Sequence, residues 1–118
     1  METHRLVLPE DLNQFGALFG GRLLAWVDEA SWIAASLDHP GCHFVTMAMD
    51  EVVFRHSVRE GTILTILSEK AKTGTTSVTY QVRVFRGRPG EGEPIFSTLV
   101  TFVNLDETGA KSPLKVGS

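Results

Sequence analysis

A chain of 118 residues with 42% hydrophobic content is long enough for one domain with one core. A net charge of −3 without a basic stripe argues against a nucleic-acid backbone as partner. The lone Cys42 has no intrachain disulfide partner, no apolar run reaches bilayer length, and the N-terminus is charged rather than signal-like. A soluble cytoplasmic protein with no membrane association is expected.

His4 to Leu8 reads as a short strand closed by Pro9, and Glu10 to Gly16 as a loop rich in turn formers. A helix is predicted from about Phe19 to Leu37, ended by Asp38-His39-Pro40-Gly41. The rest is β-rich. Alternating strands are predicted at His43–Arg55, Thr62–Lys72, Ser77–Arg86 and Pro94–Leu105, with turns at Glu60-Gly61 and Thr73-Gly74-Thr75 and a hairpin loop at Gly87–Gly92. From Asp106 onward the chain reads as a polar tail. One α+β domain over residues 1–118 follows: an antiparallel sheet, built as a meander, with one long helix on one face. His4, His39, His43 and His56 show no metal-ligand spacing, so neither a metal nor another cofactor is expected.

The chemistry concentrates in the helix. Gly20 and Gly21 stand at its N-terminus, where unpaired N–H groups and a partial positive charge await a ligand atom. Glycine permits close approach because no Cβ intervenes. Leu23, Val27, Ala30, Ala34 and Leu37 form the core-facing stripe, and Asp28 lies opposite, among Leu24, Ala25, Trp32 and Ala35. A carboxylate in an apolar wall is costly unless paired or used. One helix could thus hold an electrophile-polarising end and a catalytic base. Glu29, on a polar strip with Arg22 and Ser36, is the rival carboxylate, and its spacing points to solvation or ion pairing. The apolar second helix face and the β-rich edges ask for a cover, which a homodimer supplies most simply.

The run Pro9-x-Asp11-x-Asn13-x-x-Gly16-x-Leu18-Phe19-Gly20-Gly21-x-Leu23-Leu24-x-Trp26-x-Asp28 resembles the signature of the hotdog-fold acyl-CoA thioesterases. The resemblance is to the branch with bacterial short- and medium-chain acyl-CoA hydrolases and cytosolic animal ones. Val45-Thr46 with Asp50 and Phe54, Lys72-x-Gly74-x-Thr76-Ser77, and Thr101-Phe102-Val103-x-Leu105-Asp106 are similar to later parts of the pattern. The resemblance implies a helix wrapped by a five-stranded sheet, and dimers paired edge to edge and assembled into hexamers or tetramers. Active sites would lie at the dimer interface and hydrolyse acyl-CoA. It further implies that Gly20 or Gly21 N–H polarises the thioester carbonyl and that Asp28 is base or nucleophile. Thr46 would contribute from the partner subunit, Asn13 would orient its loop, Phe19 would wall the substrate, and the Lys72–Ser77 turn would contact coenzyme A.

Two departures stand out. Thr75 replaces a usual basic residue, and Arg55-His56-Ser57-Val58 replaces a usual proline segment, leaving Arg55, Arg59, Lys70 or Arg86 to supply charge. Two other readings of such a chain are a hotdog hydratase or dehydratase and a non-catalytic acyl-CoA sensor. The first needs a histidine by the central helix, where none precedes His39; the second has no need of Asp28 beside Gly20 and Gly21.

Overall fold

The computed structural model describes residues 1–90 and 92–115. Five strands and one long helix follow in order: β1 (Glu2–Leu6), a 3-10 turn (Pro9–Asp11), α1 (Gly20–Asp38), β2 (Phe44–Phe54), β3 (Ile63–Thr73), β4 (Ser77–Arg86) and β5 (Phe96–Asn104). All pairings are antiparallel, in the order β1-β3-β4-β5-β2. Only β3, β4 and β5 form a meander. β2 does not pair with β3, which follows it in the chain, but crosses to the far edge beside β5.

The helix runs uninterrupted because its interior lacks both glycine and proline, and it ends as His39 N–H donates to the Ala35 carbonyl at 2.9 Å. Leu23, Val27, Ala30 and Ala34 are buried as the periodicity requires, together with Trp26 and Ala35. Leu37 departs from that reading: at 67% exposed it lies beyond the sheet's reach.

The core lies between α1 and the inward face of the strands, among Leu64 and Ile66 of β3, Val78, Tyr80, Val82 and Val84 of β4, and Phe96, Val100 and Phe102 of β5. The aromatic rings interlock. Tyr80 meets Phe102 edge-on, and Phe44 packs tilted against the same ring. The Tyr80 hydroxyl donates to Asp38 at the helix C-terminus.

Two terminal expectations change. β1 begins and ends two residues earlier than read, because Val7 leaves the strand and turns wholly inward, its N–H donating to Thr62 and its carbonyl accepting from Gly61. The polar segment after Asp106 folds back on the domain as far as it is described, to Lys115, with residues 116–118 of the expected tail outside the described residues. Asp106 Oδ1 accepts from Thr108 and Ala110, Lys111 bridges back to Leu105, and Leu114 packs on the core.

Candidate active site

The loop before α1 is built around Asn13. Its Oδ1 accepts the N–H groups of Phe15 and Ala17 at 2.9 and 3.2 Å, and Gly16 completes the turn at φ +80°. Asn13 thus orders its own loop, and no acceptor takes its Nδ2 among the described residues. The chain then enters α1 through Phe19, an N-cap with extended backbone (φ −67°, ψ 127°) and no side-chain cap. The N–H groups of Gly20 and Gly21 find no acceptor among the described residues, as a helix end without a cap requires.

A cavity of 310 Å³ opens at this helix end, lined by Asn13, Ala17, Leu18, Gly20, Leu23, Phe54 and Arg55 to Val58. The Phe54 ring stands where a Cβ on Gly20 would be 3.5 Å away. On the other side a cleft of 240 Å³ is lined by Phe19, Gly21, Arg22 and Ala25. Phe19 itself is 57% exposed and borders Gly21 closely: a Cβ on Gly21 would fall 2.9 Å from its ring.

Asp28 lines neither cavity. It is half-buried in the single chain rather than sunk in an apolar wall, since Ala25 and Trp32 beside it are exposed. Its Oδ1 accepts a hydrogen bond from Thr46 Oγ1 at 2.6 Å. Thr46 belongs to β2 of the same chain and pairs with Phe102, which places it on the helix-facing side of the sheet. Relative to Asp28, its expected arrival from a partner subunit is corrected: Thr46 and Asp28 form one unit within one protomer. Trp32 braces this edge as its Nε1 donates to the Phe44 carbonyl at 3.0 Å. Glu29 is ion-paired to Arg5 at 2.7 Å, and the Arg5 guanidinium lies 5.2 Å from the Trp26 ring centre.

The idea of one helix supplying both groups to one carbonyl also needs correction. Seven residues separate Gly21 from Asp28, a rise of about 10.5 Å. The Asp28 side chain reaches back only about 2.5 Å over ~1.5 Å bonds. First-turn N–H groups point out of the helix end, away from Asp28, and a bound oxygen sits about 2.9 Å beyond them. The two groups of one chain cannot meet at one carbon.

The turn carrying Lys72, Gly74, Thr76 and Ser77 is likewise not brought to this place. It joins β3 to β4, two and three positions across the sheet from β2, or about 10–14 Å. Gly74 N–H donates to the Ser77 carbonyl at 2.7 Å, and a Cβ at Gly74 would fall 2.9 Å from Ser77 Oγ. Thr76 accepts from Asn104, and Thr75 accepts from Leu114. Nearer the helix end stand Arg55 and His56, which line the cavity, and Arg59, whose guanidinium would lie 3.8 Å from a Cβ on Gly16. No ion pair involves these three among the described residues.

Apolar side chains are exposed along this edge and along the helix: Val45, Met47, Val52, Val53 and Phe54 of β2, the N-cap Phe19, and Trp32 and Leu37 of α1. Among the described residues, no helix is long and apolar enough to cross a membrane, and no group of three or more His, Cys, Asp or Glu side chains could hold a metal ion.

Comparison with known proteins places this geometry. Residues 15–93 match the thioesterase superfamily. A protein of Zymomonas mobilis named as an uncharacterized acyl-CoA thioester hydrolase is 34% identical over 104 residues, 86% of this chain and 69% of its own length. The chain spans 63% of the length of a Bacillus subtilis relative of the same description, at 32% identity over 92% of this chain. The crystal structure of a hexameric hotdog-fold thioesterase of Campylobacter jejuni superposes with a TM-score of 0.83 at 34% identity, covering 96% of this chain and 88% of that one. An acyl-CoA hydrolase of Staphylococcus aureus, solved with butyryl coenzyme A and coenzyme A, gives 0.82 at 30% identity over 97% and 68%. That hydrolase has also been solved with an asparagine, an aspartate or a threonine replaced by alanine. The helix in its sheet, the uncapped glycine end and the matched residues lead to one assignment: the chain has the hotdog fold and belongs to the thioesterase superfamily.

Proposed function

We propose that this chain hydrolyses acyl-CoA thioesters to a carboxylic acid and coenzyme A, in sites completed by two copies of the chain. The observation that carries the proposal is the Thr46–Asp28 hydrogen bond at the exposed β2 edge, with the uncapped N–H groups of Gly20 and Gly21 on the same helix. Two copies joined about a two-fold axis along the β2 edges set their helices antiparallel. Asp28 and Thr46 of one copy then face the helix end of the other.

The Gly20 or Gly21 N–H polarises the thioester carbonyl and stabilises the oxyanion, an effect worth on the order of 10²–10³ in rate per donor. Thr46 occupies Asp28 Oδ1 and leaves Oδ2 to take the proton of an attacking water, worth about 10²–10⁴. Water adds to the carbonyl carbon, the tetrahedral intermediate collapses, and the thiolate of coenzyme A departs and takes up a proton.

Asn13 holds the loop at the cavity, Phe19 walls the substrate, and the Lys72–Ser77 turn meets the coenzyme A arm of a substrate bound mainly by another copy. The chemistry calls for no cofactor. Hexamer assembly, as in the Campylobacter relative, and a reducing cytoplasm suited to the free Cys42 thiol complete the reading. A panel of acyl-CoAs monitored with a thiol reagent tests it. Thiol release by the wild type and none by Asp28→Asn is expected; turnover retained by Asp28→Asn refutes the role of Asp28, and no release from any chain length refutes the activity.

A further inference from the structure

Asp11 is buried, at 7% exposed, and takes no part in the reaction described above. Its Oδ2 accepts the Leu8 N–H at 2.9 Å, and its Oδ1 faces Arg22 Nε at 3.3 Å. Its backbone carbonyl accepts the Phe19 N–H at 2.9 Å, directly before the first helical residue. Arg22 also donates from Nη2 to the Glu10 carbonyl at 3.4 Å. One residue, through its carboxylate and its backbone carbonyl, therefore ties the 3-10 turn, the segment entering α1 and the third residue of the helix into a single unit.

The electrostatics of this arrangement are unusual. No acidic residue stands in the first turn of α1, and Arg22 places a cation at the helix's positive end. Charge of that sign is disfavoured there. The common remedy, an Asp or Ser at the N-cap, would occupy an N–H of the first turn. Here the cap is Phe19, and the compensating negative charge comes from Asp11, off the helix axis and through Arg22. The N–H groups of Gly20 and Gly21 stay free.

We propose that Asp11, acting through Arg22 and the Phe19 N–H, is a positioning residue that aims the helix-end N–H groups at the thioester oxygen while leaving them uncapped. The proposal rests on the role given above to Gly20 and Gly21.

The test uses the full chain. Asp11→Asn keeps an acceptor for Leu8 but sets an amide against Arg22, and Arg22→Met removes the cation. Each lowers kcat about 10- to 100-fold, the scale of loss when a reacting group is slightly misplaced, with KM within about twofold. The double variant loses little beyond either single one. Tyr80→Phe, which removes a hydrogen bond at the opposite end of α1, lowers Tm with kcat unchanged. In the ligand-free protein, the Gly20 and Gly21 amide resonances shift in both site variants and not in Tyr80→Phe. If Asp11→Asn folds poorly, Arg22→Met carries the same comparison. A kcat within about twofold of wild type, or losses that simply add in the double variant, overturns the proposal. The amide shifts are read without turnover, so failure of the thioesterase reading and failure of the positioning role give different results.

Discussion

The proposed sharing of each site between two copies makes a quantitative prediction about mixed assemblies. The separation worked out above, about 10.5 Å of helix between Gly21 and Asp28 with the N–H groups pointing the other way, means that in the proposed reaction one chain does not supply both groups to one thioester. One chain carries Asp28→Asn. The other carries the less active of Gly20→Pro and Gly21→Pro, each of which deletes an N–H that α1 does not use. Phe19, with ψ 127°, already has the extended backbone that a proline at position 20 requires of its predecessor. Each variant alone is inactive or nearly so. In a two-fold dimer of unlike chains, one site combines both lesions and the other combines two intact halves. Random co-assembly of equal amounts makes half the dimers mixed, so thiol release recovers to about a quarter of wild type, however many dimers associate further. Two different affinity tags verify that the chains have mixed. Tagged mixed assemblies with no more activity than the separate variants would refute the shared site.

Four further outcomes are expected. Asp28→Asn nearly abolishes turnover while the size of the assembly, read by light scattering, is unchanged; dissociation would instead make Asp28 an interface residue. Thr46→Val lowers kcat about tenfold, the worth of one hydrogen bond to a charged group, and an unchanged rate would leave the contact without a catalytic role. A single turnover in ¹⁸O-labelled water leaves the label in the product acid and none in Asp28, whereas label in Asp28 would establish attack by the carboxylate. Burial and then the Lys70 charge hold His39 below its ordinary pKa of 6.5, against the opposing pull of Asp38. The folded chain therefore resists protonation more than the unfolded one, and stability present above that value falls as pH drops through it. Melts of His39→Gln at pH 5 and pH 7.5 should differ less than those of wild type; an equal difference would remove His39 from the acid response.

Much of this architecture is legible in local pattern, because turn chemistry brackets it. β4 lies where it is read at both ends, Ser77 to Arg86, since Gly74 and Gly87 force the chain to reverse around a clean alternation. The helix is displaced by one residue, as Phe19 caps rather than joins it. Non-local choices are less visible. Nothing in the alternation of β2 reveals that it crosses to β5, because an edge position is set by which partners remain unpaired. Two contacts emerge only in three dimensions. Thr46 reads as half of an alternating strand until the β2–β5 register carries it beneath Asp28. Arg22 reads as part of a solvated strip until Asp11, from a preceding loop, meets its guanidinium. The helix periodicity marks Asp28 as an anomaly, yet its reach depends on axial rise, which a wheel projection discards.

The two borders of the sheet differ in a way that governs how large an assembly grows. β1 is five residues long, carries Glu2, His4 and Arg5, and has its neighbouring charges already engaged. β2 is long and apolar, but its register shifts twice and Glu51 adopts a positive φ of 53°. Irregular spacing restricts matching contacts along this edge to a short stretch. In the proposed pairing through β2, only the short charged borders would face outward. A sheet joined in that way would stop at two protomers, and a larger particle would grow through other surfaces.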